Sequence, residues 1–238
     1  MVSTPQSLLP PNEAKRLETL RAYGVQPALQ EELFTKVVEL AATLFNVPIS
    51  LIALVEADDV AYKAAYGLPS LQSQPRVEAI CSTAVKQQQT VVFTELAHTH
   101  LLAPEAASAA LAKGLHFYAG TPLCMPNRQC IGTLCIVDRQ PRTFSAPEQH
   151  LLEQLARLVE RFVAVRQYCL ADPIKSESYW GVVHAELTQE VQALLTQVQC
   201  LVGYAGTHIP VSADVLESAD QRLNDLRWRL DDYHPGSL

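Results

Sequence analysis

The chain has 238 residues, 48% of them hydrophobic and 18% charged, with a net charge of −7. That apolar content is enough for a real core and excludes a disordered tail protein. No uncharged apolar run approaches the roughly 18–20 residues that a membrane span needs, and the N-terminus has no basic-then-apolar signal pattern.

A cytoplasmic protein with no membrane partner is therefore expected. The charge is unevenly divided. Residues 1–170 carry 14 Lys+Arg against 15 Asp+Glu, and residues 171–238 carry 4 against 10, a net −6. With no basic stripe to neutralise phosphates, nucleic acid is not an expected partner. Six cysteines are too few for a disulfide scaffold, and cytosolic thiols are expected to stay reduced. None forms a CxxC pair, so no structural metal is expected.

Residues 1–12 hold three prolines and no hydrophobic period, and read as a lead-in. Asn12 is a candidate N-cap for a helix from Glu13 to Tyr23, closed by Gly24. A longer helix is expected from Pro27 to Phe45, with Leu33, Val37, Leu40, Ala41 and Leu44 in one stripe. Ile49–Val55 is a nearly continuous β-branched and apolar run, which favours a central strand. After the turn Glu56–Asp59, Val60–Tyr66 reads as a second strand. Leu71–Pro75 reads as polar loop, Glu78–Gln87 as a short helix, Thr90–Phe93 as a strand and Pro104–Ala112 as a helix.

Leu115–Cys124 and Cys130–Asp138 read as a hairpin. Ser145-Ala-Pro-Glu148 is a capping box with proline in the first helical turn. The helix it opens, 147–168, places Leu151, Leu155, Leu158, Phe162 and Val165 on a narrow coiled-coil seam. Asp172-Pro173 breaks it. Helices 177–202 and 213–233 carry similar seams, from Trp180 to Leu201 and from Leu216 to Tyr233, with Gly203–Gly206 ending the former. Two antiparallel helices with one seam each cannot bury both alone, so a homodimer with a four-helix bundle is expected. The element order fits an α+β domain, an antiparallel sheet with helices on one face.

Several blocks of residues 13–168 resemble, in order, the GAF domains of bacterial signalling proteins. They are Leu17–Gly24, Phe45–Ile52, Lys63–Leu68, Arg76 with Cys81, Phe117–Leu123, and Ile131–Asp138 with Pro141-Arg142. The resemblance implies a six-stranded antiparallel sheet flanked by helices, with a small-molecule pocket on one sheet face. It identifies no cofactor. The Cys-His pair of bilin-binding members and the Asn-Lys pair of cyclic-nucleotide binders are both absent. Cys81, Cys124, Cys130 and Cys135 do not match the active-site pattern of the free methionine sulfoxide reductases. Cys124 and Cys135 read as small apolar strand residues. His98, His100 and His116 read as surface or loop residues rather than metal ligands.

Arg76 and Cys81 are the candidate ligand-facing pair, since an arginine can fork onto a carboxylate or phosphate and lower a nearby thiol. The alternative is an Arg76 salt bridge to a surface acid and a Cys81 packed in the core. Cys81 has no histidine beside it and no resolving cysteine at a telling spacing, so a catalytic role is not expected. Phe117 and Tyr118 alternate across a strand, and either could line the pocket.

Residues 169–238 resemble the dimerisation and phosphotransfer hairpin of histidine kinases, on Val183–Leu187, Gly203-Tyr204 and Ala219–Leu226. The phosphoacceptor pattern departs from that family's. Ala185 follows His184 where an acid is usual, and Gln189 stands at the proline position. His184 is thus a degenerate phosphoacceptor candidate. No ATP-binding motif is present before the sequence ends at Leu238, so no self-phosphorylation is expected. Together these features predict a non-enzymatic sensor with an unknown small-molecule ligand, and a hairpin that meets a histidine kinase or response regulator. The rivals are a thiol-dependent reductase of the methionine sulfoxide type using Cys81, and a ligand-free dimeric scaffold.

Overall fold

A computed structural model describes residues 8–23, 29, 31–68, 72–171, 176–202 and 211–233. Helix α1 (Glu13–Ala22) and helix α2 (Glu32–Leu44) precede strands β1 (Ile49–Val55), β2 (Asp59–Tyr66) and β3 (Ser73–Pro75). Helix α3 (Cys81–Gln87), strand β4 (Val91–Phe93) and helix α4 (Pro104–Ala112) lead into the hairpin β5 (Phe117–Cys124) and β6 (Cys130–Asp138). Three long helices close the chain: α5 (Ala146–Ala171), α6 (Ser176–Val202) and α7 (Ala213–Tyr233). The expected helix boundaries at Gly24 and Pro27, the break at Asp172-Pro173 and the stop at Gly203–Gly206 lie outside the described residues.

The six strands form one antiparallel sheet in the order β3-β2-β1-β6-β5-β4. β1 and β6 lie at its centre and are buried along their whole length, as apolar runs require. A bulge opposite Ile52/Ala53 passes over Lys63. It keeps Tyr62 on the same side as Val60 while turning Ala64 to the other. β3 occupies the segment expected as loop. It pairs only three residues with Asp59–Ala61 at the sheet edge, and its polar residues carry no strand period.

Helices cover both sheet faces rather than one. α2 and α5 pack on the face that carries Phe117, Ala119, Leu134 and Ile136. α3 and α4 pack on the face that carries Leu51, Tyr118, Cys135 and Val137. The capping box forms as expected. The Ser145 N–H donates to Glu148 Oε2 at 2.7 Å, and the Glu148 N–H donates back to Ser145 Oγ at 3.3 Å. Asn12 does not cap α1 with its side chain; its backbone is left-handed, at φ 62°.

The three seams are buried within one chain over most of their length, with Leu201 at the end of α6 exposed. α6 lies against α2 and α5, and α7 lies against α5 and α6. Val183, Leu187, Val191, Leu223 and Leu230 are all closed to solvent without a second copy. The second pair of helices expected from a partner copy is supplied by α2 and α5 of the same chain. Burying each such leucine or valine contributes about 1.5–3 kcal/mol. Among the described residues no helix is long and apolar enough to cross a membrane.

Candidate functional site

The cavity of interest lies between the sheet and helices α3 and α4. Its floor is formed by strand residues of β1 and β6, with Tyr118 of β5 and Cys81 at the first turn of α3. Its rim is polar. Lys113 donates to the Gln74 side-chain carbonyl, and the Gln74 amide donates to the Glu78 carbonyl at 3.1 Å. β3 therefore matters to the site, because it carries Gln74. The cavity measures about 40 Å³. A water needs roughly 10–15 Å³ of such space, so this one holds about three.

Two thiols meet inside it. Cys81 and Cys135 are both buried and line the same cavity. The Tyr118 hydroxyl donates to Cys81 Sγ at 3.5 Å. The neighbouring Cys135 thiol lowers the Cys81 thiol to about 7 against the opposing pull of burial, with Thr133 and Tyr118 adding to the effect. Cys135, beside Cys81 and itself buried, is pushed well above the ordinary thiol range. Burial also raises Tyr62 and Tyr118. One thiol is poised to ionise and its neighbour to keep its proton.

Of the residues expected to face a ligand, Cys81 and Tyr118 do line this cavity. Arg76 does not. It is fully buried away from the cavity and donates to Glu13 Oε1 at 2.6 Å and to the Glu56 and Ala57 carbonyls. Glu13 also binds Arg16, whose Nη1 reaches the Val55 carbonyl at 2.6 Å. Burial pushes the Glu13 carboxyl up, but hydrogen bonds from Arg16 and Arg76 outweigh it and leave it below the usual range. Arg76 is thus a strut from α1 to the β1–β2 turn.

Phe117 is corrected too. It points to the opposite sheet face, 5.7 Å from the Phe144 ring, with the Arg142 guanidinium 5.5 Å above it. Arg142 in turn binds Glu148 at 2.7 Å, in the capping box of α5.

His184 is turned inward from α6. Its Nε2 is buried 3.6 Å from Glu31, and its ring meets the edge of Trp180. Glu31 also accepts from Arg166 Nε at 2.8 Å and from Trp180 Nε1 at 3.2 Å. The acid beside this histidine comes from the residue before α2, which no local pattern around position 184 could reveal. His98 is exposed and paired with Glu95.

One cysteine expectation is corrected. Cys124 and Cys130 face each other across the hairpin and form a disulfide. Five turn residues bring two strand ends into register, and that register is the signal in the sequence. Cys135 lines the same cavity as Cys81, though the two are far apart in the chain.

The GAF domain family matches residues 30–163, more than half of the chain, and the chain belongs to that family. A cyclic di-GMP phosphodiesterase of Pseudomonas aeruginosa is 27% identical over 154 residues, covering 63% of this chain and 25% of that protein. The chain therefore spans about a quarter of that relative's length. Among solved structures, the GAF domain of an Acinetobacter phosphoenolpyruvate-protein phosphotransferase is similar at 18% identity and a TM-score of 0.47, over 63% of this chain and 93% of that one. The free methionine-R-sulfoxide reductase of Neisseria meningitidis is similar at 17% identity and a TM-score of 0.46, over 68% and 92%.

Proposed function

We propose that the chain is a non-enzymatic sensor whose pocket is the cavity of Cys81, Tyr118 and Cys135, and whose output is the helical layer on the other sheet face. One observation carries the reading: the two lie back to back across β5 and β6. Tyr118 and Cys135 point into the cavity, while their neighbours Phe117, Ala119, Leu134 and Ile136 point at α2 and α5. A ligand that displaces either strand must repack both faces, because close-packed side chains transmit displacement. The cavity is small, which favours a ligand of a few heavy atoms over a nucleotide or a tetrapyrrole.

Output is by contact, through an acidic hairpin offered to a histidine kinase or response regulator in the cytoplasm. The homodimer uses surfaces other than the buried seams. The match to a quarter of a phosphodiesterase fits a module that regulates chemistry done elsewhere. Native mass spectrometry of the protein as purified, with hydrogen exchange of α5, tests the reading. The expected result is a small retained ligand whose removal changes exchange along α5. Unchanged exchange on filling and emptying the cavity would overturn it.

The second reading is a thiol-dependent reductase, and the Cys81–Cys135 pair favours it. It requires turnover of a reducible substrate at the cavity.

A further inference from the structure

We propose that Cys81 and Cys135 are a reversible dithiol–disulfide switch, oxidised in place by hydrogen peroxide. The proposal rests on the cavity being the sensory site and names what that site responds to. Both thiols line one cavity, with the Tyr118 hydroxyl donating to Cys81 Sγ at 3.5 Å. The cavity is partly open and has room for about three waters, which accommodates a molecule the size of hydrogen peroxide.

The two thiols are also unlike each other, as attacking and resolving thiols must be. The nucleophile is the thiolate. The Tyr118 hydroxyl donates to Cys81 Sγ and so favours its thiolate, in line with the lowered Cys81 and raised Cys135 thiols, so Cys81 attacks first.

In the first step the Cys81 thiolate forms a bond to one peroxide oxygen and the O–O bond breaks. The sulfur is oxidised to a sulfenic acid, and the peroxide is reduced to hydroxide, which takes a proton to become water. In the second step the Cys135 sulfur bonds to the Cys81 sulfur and the S–O bond breaks. The hydroxyl leaves with the Cys135 proton as a second water. Two thiols and one peroxide become one disulfide and two waters. A small dithiol restores the pair by exchange through a mixed disulfide and is itself oxidised.

The change would not stay in the cavity. The Ser82 hydroxyl, next along α3, donates to the Arg76 carbonyl at 2.8 Å, and Arg76 holds Glu13 of α1. Drawing Cys81 onto β6 therefore pulls on the strut that anchors α1.

The test is peptide mapping of the full-length protein after reaction with one equivalent of hydrogen peroxide. The expected product is a Cys81–Cys135 linked peptide pair, about 2 Da lighter than the two thiols and restored by dithiothreitol. At pH 7 it should form about tenfold faster than in urea, where Cys81 regains an ordinary thiol pKa and its thiolate fraction falls. The Cys135→Ser variant should stop at a sulfenic acid on Cys81, trapped by dimedone. The switch is overturned if both cysteines remain alkylatable after peroxide, or if the link forms no faster folded than unfolded. A linked pair with unchanged exchange in α5 would uphold the switch and overturn the relay to the helical layer. A retained ligand without a link would uphold the sensor and overturn the switch.

Discussion

Gly120 stands directly opposite Cys135 in the β5–β6 ladder, and its missing side chain is what allows Tyr118 to lean over the thiol pair. A Cβ at position 120 would sit 2.3 Å from the Tyr118 hydroxyl oxygen. Tyr118 is buried and has little room to retreat. Gly120→Ala should therefore displace the hydroxyl from Cys81 at a stability cost of about 1–2 kcal/mol. The measurement is the pH dependence of iodoacetamide alkylation at Cys81. Its midpoint, near 7 in the native protein, should move up in the variant.

Gly132 has a different reason to be glycine. A Cβ there would come within 2.1 Å of the Ala53 carbonyl oxygen, which is backbone and cannot swing aside. Gly132→Ala should push β1 away from β6 at the centre of the sheet. A loss of about 2–4 kcal/mol in urea unfolding is expected, since strain at a central strand is among the costly classes of substitution. Native-like stability would show that the two strands can separate freely.

Glu160 of α5 accepts from the Cys124 N–H, and burial raises its carboxyl to about 7 despite that bond and the nearby Arg157. The folded state thus binds this proton more tightly than the unfolded chain between pH 4.5 and 7. Stability attributable to Glu160 falls as pH rises through that window and stays low above it. Glu160→Gln keeps an acceptor oxygen without the buried charge. It should stabilise the protein at pH 8 by roughly 1–3 kcal/mol, with little effect at pH 4. Thermal melts at the two pH values decide it, and equal shifts at both would refute the assignment.

Leu223 and Leu226 are buried against neighbours in the same chain. Lysine at both positions puts unpaired charge into the helical layer, at a cost of about 3 kcal/mol or more. The expected result is earlier melting of α7 with no change in sedimenting mass relative to wild type. A well-folded variant at half the wild-type mass would restore the intermolecular seam.

Legibility followed the range over which each feature is determined. β1 could be read because a run of seven residues, apolar but for Ser50, needs burial on both faces. The start of α5 could be read because Ser145 and Glu148 satisfy each other locally. β3 could not, because only its partner Asp59–Ala61 makes Ser73–Pro75 a strand. Periodicity showed that the seam of α6 is buried but not that α2 covers it. Arg76 has the chemistry of a ligand-binding residue, and only the position of Glu13 shows that it is already engaged. Cys81 and Cys135 meet through the packing of α3 on β6, which no spacing in the chain encodes.

The tip of the β5–β6 hairpin is fastened twice, by the Cys124–Cys130 disulfide and by the hold of Glu160 on the Cys124 N–H. A ribbon clamped at one end has its fulcrum there and its travel at the other end. That other end is Phe117 and Asp138, paired at the start of β5 and the finish of β6. There Phe117 lies under Arg142, and Arg142 grips Glu148 in the first turn of α5. The hairpin is thus a lever that works on the cap of α5 rather than on its middle, so a message from the cavity would be read as a helix end tightening or letting go.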